Sequence, residues 1–224
     1  MDSVHIPFNM TVTTRNTPAA RSTYRHGDLR RALLDAGVEL ARQGGPAAVV
    51  LREATRRAGV APNAAYRHFT NRQDLLNAVR AAAVAAVAEA MEAELAHVPC
   101  TGTPAEQAHA RVRAVGAGYL RFAHAETGLF RTAFGDLFGL DLRPDPSKEG
   151  RTGRNPFQHL SAALDDLVTA GVLPPERRPG AEYLAWSTAH GMALLSIDGP
   201  LRGTPPAMLE QLGQRLLDMV ERGL

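Results

Sequence analysis

Between Pro62 and Phe69 the chain gathers side chains able to read a polyanion. Asn63 can bond an adenine edge, and Arg67 can fork onto a guanine or a phosphate. Tyr66 and His68 can donate to phosphates, which positions a protein on a duplex without specifying sequence. Ala64 keeps the backbone close and can touch a thymine methyl. Ala65 and Phe69, four residues apart, point the other way. A solvated helical hairpin would show the same pattern of polar and apolar faces, so the surrounding elements must decide. No catalytic arrangement competes. The chain has no Ser-His-Asp order, no paired carboxylates on matched helical faces and no phosphate-cradling loop. Gly116-Ala117-Gly118 is too short for a dinucleotide turn. The chain is therefore read as a non-enzyme that needs no cofactor.

The elements that must position these residues are legible. Leu51, Ala54, Thr55 and Ala58 repeat at i, i+3, i+4, i+7, one face of a helix, with Arg52, Glu53, Arg56 and Arg57 on the other. Gly59 suits the left-handed residue that ends a helix. Pro62 suits the first position of the next one. Two short helices about a glycine turn, the second presenting donors, form a helix-turn-helix. Asp28 to Gln43 makes a preceding helix with Leu29, Leu33, Ala36, Gly37 and Leu40 inward and Asp28 placed to cap it. Gly44-Gly45-Pro46 stops it. Together these give a three-helix DNA-binding unit.

Composition supports this division. The hydrophobic content is 45% with only 5% aromatic, so the core is Ala, Leu and Val, which favours helices. The net charge of +2 is unevenly placed. Residues 1–80 hold 12 Arg and 6 acids, whereas the remainder holds 12 Arg, Lys148 and 17 acids, leaving the first part at +6 and the rest at −4. Only the first part is built to meet a polyanion. A single cysteine, Cys100, excludes an internal disulfide and fits a reducing cytoplasm. The longest apolar run, Ala81 to Ala88, is far short of the roughly 20 residues a membrane span needs. Residues 1–23 lack periodicity and read as a disordered arm, from which Arg15 and Arg21, with Arg25 just beyond, could reach a minor groove.

The rest of the chain reads as further helices. Arg72 to about His97 is long and Ala-rich. A second runs from about Ala105 to His124, with Thr103 as a possible cap and Val112, Val115, Tyr119 and Phe122 as its apolar set. Glu126 to Phe134 is short. Phe130, Phe134 and Phe138 recur every four residues, a spacing that serves a ligand cavity or plain core. Gly139 to Arg154 reads as a mobile loop, and Asn155-Pro156 opens a helix to about Ala170. A helix over Glu182 to Leu201 places Tyr183, Trp186, His190 and Ile197 on one face. In the last helix, about Pro205 to Arg222, Leu209, Leu212, Leu216, Met219 and Val220 make one stripe. His97, Cys100 and His109 straddle a helix break and do not have zinc-site spacing, so no metal is expected.

Several stretches resemble the TetR/AcrR family of regulators: Tyr24-Arg25-His26-Gly27-Asp28-Leu29-Arg30, Gly45-Pro46-Ala47-Ala48, Leu51-Arg52-Glu53, Arg57-Ala58-Gly59-Val60, Ala65-Tyr66-Arg67-His68-Phe69 and Asn71-Arg72-Gln73-Asp74-Leu75-Leu76. The resemblance covers residues 24–80 densely. It implies an all-α chain: a helix-turn-helix domain over 24–71 and a helical ligand-binding and dimerisation domain over 72–224. By position it implies DNA contacts from Arg52, Pro62, Asn63, Ala64, Tyr66, Arg67, His68 and Arg72, with Tyr66, His68 and Arg72 on phosphates. Where members often carry Ser or Thr caps, this chain has Val50 and Ala61. Losing a cap costs about 0.5–2 kcal/mol. Trp186-Ser187-Thr188-Ala189-His190-Gly191 is similar to the Trp-x3-His-Gly signature of the WHG-type body. There Gly191 would permit close approach of a neighbouring helix.

The expectation is thus a sequence-specific transcriptional regulator. It would be a cytoplasmic homodimer joined through its last two helices on a palindromic operator, a repressor released by an unknown small-molecule effector. Candidate effector contacts are Phe122, Phe130, Phe134, Trp186 and His190. Regulation through a protein partner, or activation in place of repression, are the alternatives.

Overall fold

The computed structural model describes residues 26–135 and 145–223, with the side chains of 26–28 excepted. The expected arm over 1–23, Tyr24, Arg25, the capping side chain of Asp28, Phe138 and residues 139–144 of the expected loop lie outside the described residues. Among the described residues the regular structure is helical. α1 spans His26–Ala48, with a break at Gly44 and Gly45 where the sequence expects a stop. α2 is Leu51–Arg57, α3 Pro62–Ala65 and α4 Arg72–Leu95. α5 spans Pro104–Ala125, α6 Thr127–Phe134, α7 Pro156–Thr169, α8 Ala181–Ile197 and α9 Pro206–Gly223.

α1, α2 and α3 pack around Leu33, Leu40, Val49, Leu51, Ala54, Ala65 and Phe69, all buried. α4 closes this core with Leu75, Leu76 and Val79, then continues into the body with Val84, Val87 and Met91. The body is α4 to α9, and its closest pairing is α4 on α5. Gly118 makes that pairing possible: a Cβ there would stand 2.7 Å from the Ala90 carbonyl oxygen.

Caps explain where the body helices start. Thr103 and Glu106 form a reciprocal capping box on α5, as do Asn155 and Gln158 on α7. Asn71 caps α4 by accepting from the Asp74 N–H. Val50 and Ala61 provide no side-chain cap to α2 or α3, as the sequence implies. Other contacts hold this region. Arg72 donates from Nε to the Val49 carbonyl (2.8 Å) and from a terminal nitrogen to the Pro46 carbonyl (2.6 Å). It therefore ties the start of α4 to the turn before α2. Arg30 lies 5.2 Å above the centre of the buried Phe69 ring.

Two expectations need correction. The last-helix stripe is rotated: Leu217 and Gly213 are its buried centre, while Met219 is exposed. Gly191 meets nothing within 4 Å in its own chain, which leaves the expected close approach there to another copy. The close approaches fall elsewhere, above all at Gly128 on α6. A Cβ there would sit 2.3 Å from the carbonyl oxygens of both Ala41 and Arg42 on α1. Finally, the described part of the expected mobile loop is pinned. It contains a 3-10 turn at Pro146–Lys148, and its residues Arg151 and Thr152 bond Glu92. Donors from a distant helix, absent from any local pattern, make the difference.

α6 is thus the seat of the three-helix unit on the body. Arg42 reinforces it by donating to Glu126 (2.9 Å). Gly128→Ala should destabilise the protein by about 1–3 kcal/mol, the usual cost of overpacking against backbone that cannot retreat. Gly191→Ala should not destabilise the monomer, and chemical denaturation distinguishes the two. Arg72→Ala should cost about 1–2 kcal/mol through its two charge-assisted bonds, lowering Tm by about 2–6 °C, because the turn before α2 loses its tether. An unchanged Tm would remove the structural role assigned to Arg72.

Candidate DNA interface and body cavity

The reading surface begins at α3. Its regular part is a single turn, Pro62–Ala65, shorter than the run to Phe69 that the sequence suggests. Residues 66–68 continue it as turns, with the N–H groups of His68 and Phe69 both donating to the Ala65 carbonyl. Without a side-chain cap, few bonds hold so short a helix. Burial of Ala65 and Phe69 fixes its orientation. Asn63, Tyr66 and Arg67 are exposed, Ala64 and His68 half-buried, and Pro62 exposed at the first helical position. Gly59 takes φ 67° and lets the chain turn between α2 and α3.

On α2, Arg52 is exposed. Arg56 and Arg57 are engaged by Glu53, with Arg56 donating two bonds of 2.9 and 2.7 Å. Hydrogen bonds from Arg56, joined by those from Arg57, bring the Glu53 carboxyl down to about 2. Arg57 also donates to Gln43 of α1 (2.8 Å). The basic side of α2 is therefore partly self-neutralised. Arg52 and Arg67 form no ion pair among the described residues, so their charge is available to a ligand. Arg72 lies at the edge of this surface, exposed but with two of its nitrogens already engaged with carbonyls.

The body contains a cavity of about 80 Å³ walled by α4, α5, α6, α7, α8 and α9. Of the five expected effector contacts, Phe134 and Trp186 line it. His190 stands behind that wall, its ring 5.4 Å from Phe134 and 5.9 Å from Trp186. Phe130 is fully buried against Tyr119 and Phe134, and Phe122 is buried core; neither lines the cavity. An i, i+4 repeat cannot separate the two roles, because neighbouring helices decide which aromatic face meets empty space.

Tyr119 is the residue the sequence reading did not single out here. Its hydroxyl accepts from Trp186 Nε1–H (3.2 Å) and shares a 2.7 Å hydrogen bond with His190 Nδ1. Burial pushes the phenol far up, so it stays protonated. Burial likewise pushes His190 down, favouring the neutral ring. The Tyr119 hydroxyl and the Trp186 N–H are thus engaged, while His190 Nε2 is buried with no hydrogen-bond partner among the described residues; the cavity lining is mostly apolar. Lys148 and Asn155 are the exceptions, at the end closed by the pinned loop.

That loop is held by one carboxylate of α4. Glu92 accepts from the N–H groups of Arg151 (2.9 Å) and Thr152 (3.0 Å), from the Thr152 hydroxyl (2.7 Å) and from His159 Nε2 (3.2 Å). Burial opposes its charge, but the donors of Thr152, Arg151 and His159 outweigh it and hold the carboxyl below its ordinary range. Burial also pushes His159 down, so the ring donates to Glu92 as the neutral form near pH 7. Among the described residues no three His, Cys, Asp or Glu side chains are grouped to hold a metal ion, and no helix is long and apolar enough to cross a membrane.

Comparison with known proteins places this geometry. Residues 33–79 match the family described as bacterial regulatory proteins, tetR family, and residues 112–220 match a Tetracyclin repressor-like, C-terminal domain. No curated protein matches the chain in sequence. Among solved structures, a protein of unknown function from Rhodococcus sp. RHA1 superposes with a TM-score of 0.70 at 26% identity, over 91% of this chain and 99% of that one. SmeT of Stenotrophomonas maltophilia, the repressor of the multidrug efflux pump SmeDEF, gives 0.57 at 20% identity, over 87% and 89%. The regulator PfmR of Thermus thermophilus gives 0.53 at 20%, over 86% and 98%. The last two show likeness of fold. Members of the matched family are DNA-binding regulators, typically dimeric, and not enzymes. With both halves matched in order, and with the helix-turn-helix and helical body in place, this chain belongs to the TetR family of DNA-binding transcriptional regulators.

Proposed function

We propose that the protein is an effector-responsive repressor whose body cavity controls the spacing of two DNA-reading heads. One observation carries this reading. The cavity shares its walls with the two elements on which the head is seated: α4, through Val84 and Met91, and α6, through Phe134. At about 80 Å³ the cavity is smaller than the roughly 150 Å³ that holds benzene. An effector of ordinary size must push a wall outward. It therefore binds the displaced form better than the resting one, and that difference is what shifts a population.

The heads are read as DNA contacts through Arg52, Pro62, Asn63, Ala64, Tyr66, Arg67 and His68, with Arg72 at the edge of the surface. Arg67 reads bases, and Tyr66 and His68 hold phosphates. The dimer forms through α8 and α9. Tyr183, Leu184, Leu194 and Leu195 are exposed on α8, as are Met208 and Met219 on α9. Gly191, open in its own chain, lies among the α8 leucines where a partner helix could approach closely. That supports the WHG-type reading of this helix, with Trp186 at the cavity and Gly191 at the dimer face. Filling the cavity moves α4 because Glu92 clamps the cavity's rim loop onto it.

Selection from a random duplex pool by the purified protein should enrich a palindrome. Arg67→Ala should relax preference at one position of each half-site, at a cost of about 1–3 kcal/mol. Enrichment of no sequence, with salt-sensitive binding only, would count against the operator reading.

A cavity-filling change can stand in for the effector. Ala185→Phe, from the α8 wall, should weaken binding to the selected duplex by about tenfold, the usual scale of allosteric coupling. In a Glu92→Ala background the loss should shrink to about twofold, since the clamp that transmits it is gone. Equal losses in both backgrounds would exclude Glu92 as the link. No loss from a folded Ala185→Phe protein would exclude the cavity as the control point.

A further inference from the structure

α9 crosses α5 where glycines admit side chains of the other helix. Gly116 has no room for a Cβ beside Leu217, and a Cβ at Gly213 would stand 3.3 Å from Leu120. Toward the start of α9 the two helices enclose a second space, with the end of α8 and the first turn of α6. It is a groove of about 620 Å³, within the range of roughly 300–1,000 Å³ usual for small-molecule sites. Leu120, Ile197, Leu209 and Leu217 supply its apolar surface. Leu217 also lines the first cavity and so stands between the two. Met208 and Met219, the exposed methionines of α9, fall on the opposite face of that helix by its period of about 3.6 residues. A second copy docked on those methionines leaves the groove to another occupant.

The polar groups of the groove are mostly acceptors. The Ser196 hydroxyl donates to the Ala193 carbonyl (2.8 Å), so its oxygen accepts from His124 Nε2 (2.8 Å). That bond places the imidazole proton on Nε2 and leaves Nδ1 a lone pair with no partner among the described residues. Burial pushes His124 down, which favours this neutral ring. The Thr127 hydroxyl spends its proton on the Ala123 and His124 carbonyls and keeps its lone pairs. Gln214 is the exception, its carbonyl oxygen accepting from Arg113 (3.3 Å). Among the described residues two charged groups line the groove. Arg121 is answered by Glu94 of α4, a carboxylate outside the lining. Glu210 forms no ion pair among the described residues. Register sets it opposite His124: with Leu120 against Gly213 and Leu217 against Gly116, the helices run antiparallel, and both residues lie one turn beyond the crossing. A cation with N–H donors meets unspent acceptors and an uncompensated carboxylate there, whereas an anion must compete with Glu94 for Arg121. We propose that the groove is a second ligand site, taking an apolar monocation whose ammonium or amidinium head lies between His124 and Glu210 and whose tail lies on Leu120, Ile197 and Leu209.

Calorimetric titration with three probes of one tail, 4-phenylbutylamine, 4-phenyl-1-butanol and 4-phenylbutyrate, tests this. The amine should bind about fivefold tighter than the alcohol, the scale of one half-solvated ion pair, and the acid weakest. Glu210→Gln, at an exposed position, should bring the amine to the level of the alcohol and leave the alcohol within about twofold of its original affinity. Ala125→Phe, an exposed residue of the lining, should fill the groove and weaken amine and alcohol alike by about tenfold, with unchanged circular dichroism showing that the variant is folded. Trp186, the only tryptophan, lines the first cavity and not the groove, so its fluorescence should stay constant while the amine binds. An amine that does not bind, a preference for the acid, or an amine preference that survives Glu210→Gln would overturn the cationic site. Binding that changes Trp186 fluorescence and survives Ala125→Phe would place the probes in the first cavity and overturn the groove as a site, while leaving the effector reading of that cavity intact.

Discussion

α4 belongs to two cores at once. Its first turns carry Leu75, Leu76 and Val79 into the packing of α1 to α3, and its later turns carry Val84, Val87 and Met91 into the body. Twenty-four residues of helix span about 36 Å. A helix of this kind does not bend cheaply, since no proline or glycine interrupts it. A change of angle imposed at the body end must then arrive at the head. The second attachment, α6 against α1, limits that motion, because Gly128 leaves no space between the two backbones. The molecule has a lever with one tight bearing, and the cavity lies beside both.

The head is stabilised without the usual local devices. Neither α2 nor α3 has a side-chain cap, and α3 is a single turn. Long-range contacts compensate: Arg72 grips the carbonyls of Pro46 and Val49, Arg30 covers Phe69, and Arg57 reaches Gln43. Three arginines are thus given to holding the head together. Part of the basic excess of the first part of the chain is therefore spent within the head, while Arg52 and Arg67 form no ion pair among the described residues.

In the body, many polar groups meet in pairs or clusters, although His109 Nδ1, His190 Nε2 and Glu221 Oε1 are buried with no hydrogen-bond partner among the described residues. Tyr119, Trp186 and His190 form one such cluster, and Glu92, Thr152 and His159 another. The second lies outside the cavity and fastens its rim. The first lies in its wall and removes hydrogen-bonding capacity from it. The outcome is a pocket lined mostly by hydrocarbon.

Much of this was written in local spacing. The helix order, the glycine turn at Gly59, the first-turn proline at Pro62, the α5 cap at Thr103 and the outward residues of α3 follow from periodicity and capping chemistry, which depend only on near neighbours. The uneven charge between the two parts was legible for the same reason. Tertiary packing alone decided the rest. Phe130 and Phe134 share a repeat, yet only Phe134 meets the cavity, because α8 and α5 determine where space remains. Within the chain Gly128 is sterically required and Gly191 is not, a distinction fixed by a helix more than 80 residues away in the chain. The loop before α7 is rich in glycine and charge, so its composition suggested mobility. Glu92 holds it from another helix, and a bond between residues 60 apart leaves no mark on either sequence neighbourhood.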